Sequence, residues 1–219
     1  MTPKMNKEKI SQTAKFLPGA HFKTLTPFYD LLGEILGLGR RYRKAVSSAL
    51  NLPNKKLNIL DAGCGTGSLA IDFKKQKPNL NIYAIDADKD MLKIAAEKAE
   101  KEKAKIIFNM SLIQNLPFPD SYFDIVYSSL VFHHLPGKVK KEAVKEIHRV
   151  LKKGGKFFLA DFGKANNLFE AIFPLFALLF EEGYDNYKGN LPAILKERFP
   201  IIKEIGRYKM GIIFLLAGK

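Results

Sequence analysis

The residues of this chain best suited to hold a small ligand are three glycines at alternate positions in Asp61-Ala62-Gly63-Cys64-Gly65-Thr66-Gly67. Glycine lets a backbone turn through left-handed conformations and approach a ligand with no Cβ in the way. The nicotinamide fingerprint G-x-G-x-x-G needs glycine where Ser68 stands, which argues against an oxidoreductase of that kind. Asp61, at the head of the loop, suits a ligand with an ammonium group better than a pyrophosphate. Nineteen residues after Gly67 comes Asp86, ending a second apolar run. In a doubly wound sheet that position faces a ribose, and a carboxylate can accept from both its hydroxyls. The competing role of helix cap is already open to Asp88 or Asp90. Cys64 has no base beside it in sequence, so it reads as a small residue filling the loop rather than a nucleophile. The pair His133-His134 follows a fourth apolar run. Imidazole titrates near neutrality and can take a proton there. The same pair could instead cap the strand or line a pocket wall.

Positioning these groups requires strands and helices in alternation, and the sequence supplies them from residue 57 onward. Leu57–Leu60 reads as a buried strand running into the glycine loop, Leu69–Lys77 as a helix, and Asn81–Asp86 as a second strand. Asp88 caps a helix through Met91, Leu92, Ala95 and Ala99. Strands follow at 105–109, 124–129 and 156–161. Between the last two, a helix from about Lys138 to Leu151 is expected to stop at the Lys-Lys-Gly-Gly turn of 152–155. Runs 201–208 and 210–217 look like a terminal antiparallel pair. Continuous apolar strands indicate a doubly wound, Rossmann-like α/β sheet, mostly parallel, with helices on both faces and a C-terminal antiparallel strand. The expected division is an N-terminal helical extension or lid at 1–50 and a main domain at 51–219. An insertion at 165–200 would form a hydrophobic lid, because 168–180 is apolar on almost every side.

Four segments in this order and spacing carry a family resemblance: Asp61–Gly67, Asp86, the stretch Leu116-Pro117-Phe118-Pro119-Asp120-Ser121-Tyr122-Phe123-Asp124, and Arg149-Val150-Leu151-Lys152-Lys153-Gly154-Gly155. Over residues 25–165 the chain resembles class I S-adenosylmethionine-dependent methyltransferases, and more narrowly the ubiquinone/menaquinone-biosynthesis group. The resemblance implies S-adenosylmethionine as cofactor and S-adenosylhomocysteine as its product. It implies that Gly63, Cys64, Gly65, Thr66 and Gly67 surround the methionine moiety, with Asp61 facing the amino group. Asp86 would hold the ribose, with Ala87 flanking the adenine. Leu112 and Ile113 stand where the family often carries an acidic or amide residue for the adenine amine. Ser129 and His133 would lie beside the sulfonium. Tyr29 joins His133 and His134 as a catalytic candidate, since its family counterpart folds over the cofactor.

Composition narrows the partners. Lysine and arginine number 36 against 22 acids, a net charge of +14, and 30 of the 36 are lysine. Such an excess suits an anionic partner, or it reflects lysine placed on solvated faces. Residues 1–56 hold eleven basic and three acidic residues, so +8 of the +14 sits there. Together with Ile35, Leu36 and Leu38, the basic residues at 40–44 make an anionic membrane surface one candidate partner. Six arginines and no aromatic–basic interleaving argue against nucleic acid. A single cysteine excludes disulfides and cysteine-rich zinc clusters, and no metal is expected. The absence of an apolar leader in residues 1–17 points to the cytoplasm, with or without membrane attachment. The expected acceptor is small and hydrophobic or lipid-like, such as a quinone precursor or a phospholipid-like compound. An RNA or protein methyltransferase and a non-catalytic cofactor-binding module are the alternatives.

Overall fold

The computed structural model describes residues 33–35, 37–164 and 189–219. The expectations for Tyr29, for most of the 1–50 extension and for 165–188 of the hydrophobic insertion lie outside the described residues.

Seven strands form one sheet, and parallel pairing is the rule for the first five. In chain order the elements are α1 (Arg40–Leu50), β1 (Asn58–Ala62), α2 (Ser68–Gln76), β2 (Asn81–Asp86), α3 (Lys89–Lys101), β3 (Ile106–Met110), β4 (Phe123–Ser129), a 3-10 turn (Phe132–His134), α4 (Gly137–Val150), β5 (Leu151–Phe162), α5 (Leu191–Lys196), β6 (Ile201–Tyr208) and β7 (Ile212–Gly218). The strand order is β3-β2-β1-β4-β5-β7-β6. β7 enters antiparallel between β5 and β6, as the two C-terminal runs suggested. The order reverses at β1, where β2 lies to one side and β4 to the other. In such sheets the crevice beyond the carboxyl ends of the strands is where ligands bind.

The inner strands β1, β4 and β7 are largely buried because both of their faces are covered, whereas the edge strand β6 is mostly exposed and carries Lys203, Glu204 and Arg207. Phe157 and Leu159 of β5 pack into the core beneath α4 and α5, while Phe158 and Ala160 pack into the core beneath α1 and α2. α3 lies alongside α2, with Ala99 against Ile71. Tyr42 and Val46 carry α1 into the core, so its apolar side faces the sheet. Arg43 is held by Asp72 of α2 at 2.7 Å, leaving Arg40, Arg41 and Lys44 as the exposed basic groups of α1.

One element differs from expectation. The Lys-Lys-Gly-Gly segment does not end α4; the chain is already extended at Leu151, which pairs with Phe123. Pairing with β4 resumes at Ile125 and Lys156, so residues 152–155 form an irregularity inside β5. Gly154, at φ +77°, supplies the left-handed residue that this detour requires.

Candidate functional site

The glycine loop leaves the end of β1 and is fastened to the end of β2. The N–H groups of Gly63 and Cys64 both donate to the Ile85 carbonyl, at 2.9 and 2.8 Å. The Gly65 N–H donates to Asp86 Oδ2 at 2.8 Å, and the Asp88 N–H donates to Asp86 Oδ1 at 2.9 Å. Asp86 is therefore a half-buried brace between loop and helix at the edge of the crevice. Asp88 caps α3 by accepting from the N–H groups of Asp90 and Met91, as expected. Ala87 forms the bend between Asp86 and this cap. Burial raises the Asp86 carboxyl from its ordinary value, while the N–H groups of Asp88, Gly65 and Ala87 act the other way.

All three glycines have positive φ, but they are required for different reasons. A Cβ on Gly63 would stand 2.4 Å from Val131 Cγ2, and one on Gly67 would stand 2.9 Å from Ala95 Cβ. At Gly65 a Cβ would meet nothing within 4 Å, so this residue presents bare backbone to open space. Gly63 and Gly67 serve the packing of the loop, and Gly65 keeps its mouth clear. Thr66 is buried, with its Oγ1 accepting from Lys98 Nζ at 3.1 Å. Burial, then the charges of Asp61 and Asp86, push the Cys64 thiol well up, so it remains a neutral S–H.

Asp61 lies beneath the loop, buried, and accepts the Tyr127 hydroxyl proton at 2.9 Å. Burial pushes its carboxyl up to about 8, against the lowering effect of Tyr127 and helped by the neighbouring charge of Asp86. An ammonium group close by would reverse that balance. Beyond β3, the Ser111 N–H donates to the Asp86 carbonyl at 3.0 Å, which brings the following turn to the rim. Leu112 accepts from the Asn115 N–H in that turn and is half-buried, whereas the Ile113 side chain belongs to the core. The Leu116–Asp120 segment that follows the turn is braced by Arg149, which donates to the carbonyls of Leu116 and Phe118 and to Asp120 and Glu146. The spacing between the Leu-Pro-Phe segment and Arg149 thus has a mechanical cause.

The third part of the site stands over the ends of β4 and β5. Val131, whose methyl groups touch the Gly63 position, leads into the 3-10 turn that carries His133 and His134. The two rings lie 3.9 Å apart. His133 Nδ1 is 2.9 Å from Oδ1 of Asp161, a wholly buried residue near the end of β5. Asp161 Oδ2 accepts from the N–H groups of Val131 and Phe132, at 3.0 and 2.7 Å. Ser129 turns its hydroxyl to Tyr42 of α1, 2.7 Å away.

The glycine loop, Asp86, the 111–115 turn and His133 thus share one edge of the sheet. Sequence reasoning missed Asp161 and Tyr127 as parts of this arrangement. A signal existed for Asp161: an aspartate near the end of an otherwise apolar strand, in the pattern already noticed at Asp61.

Known proteins share this architecture, and a methyltransferase-domain model matches residues 59–155. The demethylmenaquinone methyltransferase of Deinococcus radiodurans is 34% identical over 158 residues, covering 71% of this chain and 64% of that protein. The chain therefore matches slightly less than two thirds of that relative's length. The demethylmenaquinone methyltransferase of Lactiplantibacillus plantarum is 30% identical over 181 residues, covering 76% of this chain and 75% of that protein. In fold, the chain is similar to phosphoethanolamine N-methyltransferase 2 of Haemonchus contortus, solved with phosphomonomethylethanolamine and S-adenosylhomocysteine. The TM-score is 0.67 at 21% identity, over 83% of this chain and 44% of that one. Sheet order and crevice define the class, a Rossmann-like methyltransferase domain. More narrowly, the chain belongs to the family of the demethylmenaquinone and ubiquinone/menaquinone-biosynthesis methyltransferases.

Proposed function

We propose that this protein transfers a methyl group from S-adenosylmethionine to a small hydrophobic acceptor of the quinone-precursor kind. The observation that carries the reading is the bare, left-handed backbone of Gly65 held to the Asp86 carboxylate at the switch point of the sheet. That geometry fits the donor. Each Asp86 oxygen accepts a backbone N–H and keeps lone-pair capacity for a ribose hydroxyl. Gly63, Gly65, Gly67, Thr66 and Cys64 would line the methionine side, with Asp61 beneath them to compensate the ammonium. Ala87, Leu112 and the backbone of Ile113 would flank the adenine. When bound, the donor supplies an electrophilic methyl on a sulfonium and keeps the electron pair of the broken bond as a neutral thioether.

The protein's own part is alignment, exclusion of water and proton removal. His133 stands at the same edge and would take a proton from the acceptor, with Ser129 near the reacting centre. His134 is a poor base, because burial and then the neighbouring His133 push it down to about 3. The names of the relatives support a quinone precursor as acceptor.

Attachment to an anionic membrane surface belongs to the same reading. Its support is the exposed Ile35 beside Arg40, Arg41 and Lys44. Among the described residues, no helix is long and apolar enough to cross a membrane.

The test is transfer of isotope-labelled methyl to demethylmenaquinol, with phosphoethanolamine and total RNA as competing acceptors. Label entering the quinol alone is the expected result, and label entering only RNA would overturn the choice of acceptor.

A further inference from the structure

Burial sets a problem at the end of β5 that the methyl-transfer reading does not by itself explain. Asp161 is fully buried, and a carboxylate there must be paid for with hydrogen bonds. It has them: Oδ2 accepts from Val131 and Phe132, and Oδ1 accepts from its neighbour Phe162 at 2.8 Å. These donors come from the backbone that leads into the histidine turn and from β5 itself. Burial alone would raise the Asp161 carboxyl, but the charge and hydrogen bond of His133, with the Phe162 N–H, bring it below its ordinary value. An ionised carboxylate has no proton to give. Both Asp161 oxygens already act as acceptors of backbone N–H groups, so His133 Nδ1, 2.9 Å from Oδ1, is the donor.

We propose that Asp161 is a positioning residue that fixes His133 in the tautomer protonated on Nδ1, leaving Nε2 as the nitrogen that accepts the acceptor's proton. The inference rests on the methyl-transfer reading above. In the proton step, the acceptor's hydroxyl O–H bond breaks and its electron pair stays on oxygen. The Nε2 lone pair forms the new N–H bond, and the imidazolium charge that results faces the Asp161 carboxylate. Among the described residues, Asp161 from β5 and His134 on the same turn are titratable groups that face His133. The Phe162 ring meets the imidazole edge-on, with centroids 4.9 Å apart, and restrains it from turning away. Asp161 also anchors the turn whose Val131 methyls pack on the glycine loop, so the base and the loop are held by one side chain.

The test begins with the unaltered protein. Long-range ¹H–¹⁵N spectra of the histidine rings, with and without S-adenosylhomocysteine, should show His133 protonated at Nδ1 and bare at Nε2. The opposite tautomer would overturn the proposal, whether or not any variant folds. Asp161→Asn offers an N–H to Nδ1 and should invert the tautomer. It should lower kcat about 100-fold or more, with KM changed much less. In His133→Gln the second substitution should cost little further, because Asp161 acts through that ring. Retained turnover in folded Asp161→Asn, or losses that multiply in the double variant, would also overturn it. Failure of the protein to bind S-adenosylhomocysteine at all would strike the methyl-transfer reading instead, while the tautomer could still be read.

Discussion

Asp61 and Asp161 are both buried near the carboxyl ends of strands, yet their surroundings drive them in opposite directions. Asp61 receives a phenol hydroxyl and lies near a second carboxylate, so burial wins and its carboxyl rises to about 8. Asp161 receives three backbone N–H groups and an imidazole, so it falls below the ordinary range. One site is short of positive charge and gains from a cationic ligand. The other is already balanced and serves to hold a turn. In the proposed reaction the donor side of the crevice would be completed by what binds it, whereas the side that would accept the proton is built in advance.

That contrast can be broken most sharply at Asp61. Replacement by Asn should weaken S-adenosylmethionine about 10- to 100-fold, the usual worth of a hydrogen bond to a charged group. The ligand-free protein should respond differently. A carboxyl raised in the folded state binds a proton that the unfolded chain has already released, so stability falls as pH rises from about 4 to about 8. Asp61→Asn should flatten this fall and raise the thermal midpoint at pH 8, read by thermal unfolding across pH. A variant that loses stability equally at pH 5 and pH 8 would remove the contrast.

Two glycine replacements separate packing from binding. Gly63→Ala drives a methyl into Val131 and should cost about 1–3 kcal/mol of stability, displacing the histidine turn and lowering turnover. Gly65→Ala meets open space and should cost only the strain of a left-handed alanine, about 1 kcal/mol. Its larger effect should be on donor affinity. Calorimetry and denaturant unfolding of both proteins would show whether the roles divide this way.

Smaller effects are expected further from the crevice. Arg149→Met should free the 116–120 turn and lower the thermal midpoint by several degrees, about 1–3 kcal/mol, with donor affinity reduced less than in Gly65→Ala. Tyr42→Phe removes only the hydroxyl shared with Ser129 and should cost about 1 kcal/mol.

The sequence was most legible where one residue type has few reasons to occur. The alternating glycines, the acid at position 86 and the Asp88 cap are constrained by local backbone geometry, and strand 81–86 was bounded correctly by the same signals. The Lys-Lys-Gly-Gly segment misled because glycine's left-handed freedom serves a helix end and a strand irregularity equally. The choice fell to the pairing of Leu151 with Phe123, which no local signal carries. Asp161 and His133 are 28 residues apart, and only the neighbouring positions of β4 and β5 bring them together. Tyr127 reads as an apolar strand residue until its hydroxyl is found on Asp61.

The central claim is that the loop braced by Asp86 holds the methyl donor. Titration calorimetry with S-adenosylhomocysteine tests it most directly, comparing the unaltered protein with Asp86→Ala. One site per chain, weakened about 100-fold or more by the substitution, is the predicted result. No binding to the unaltered protein, or equal binding to both, would contradict it.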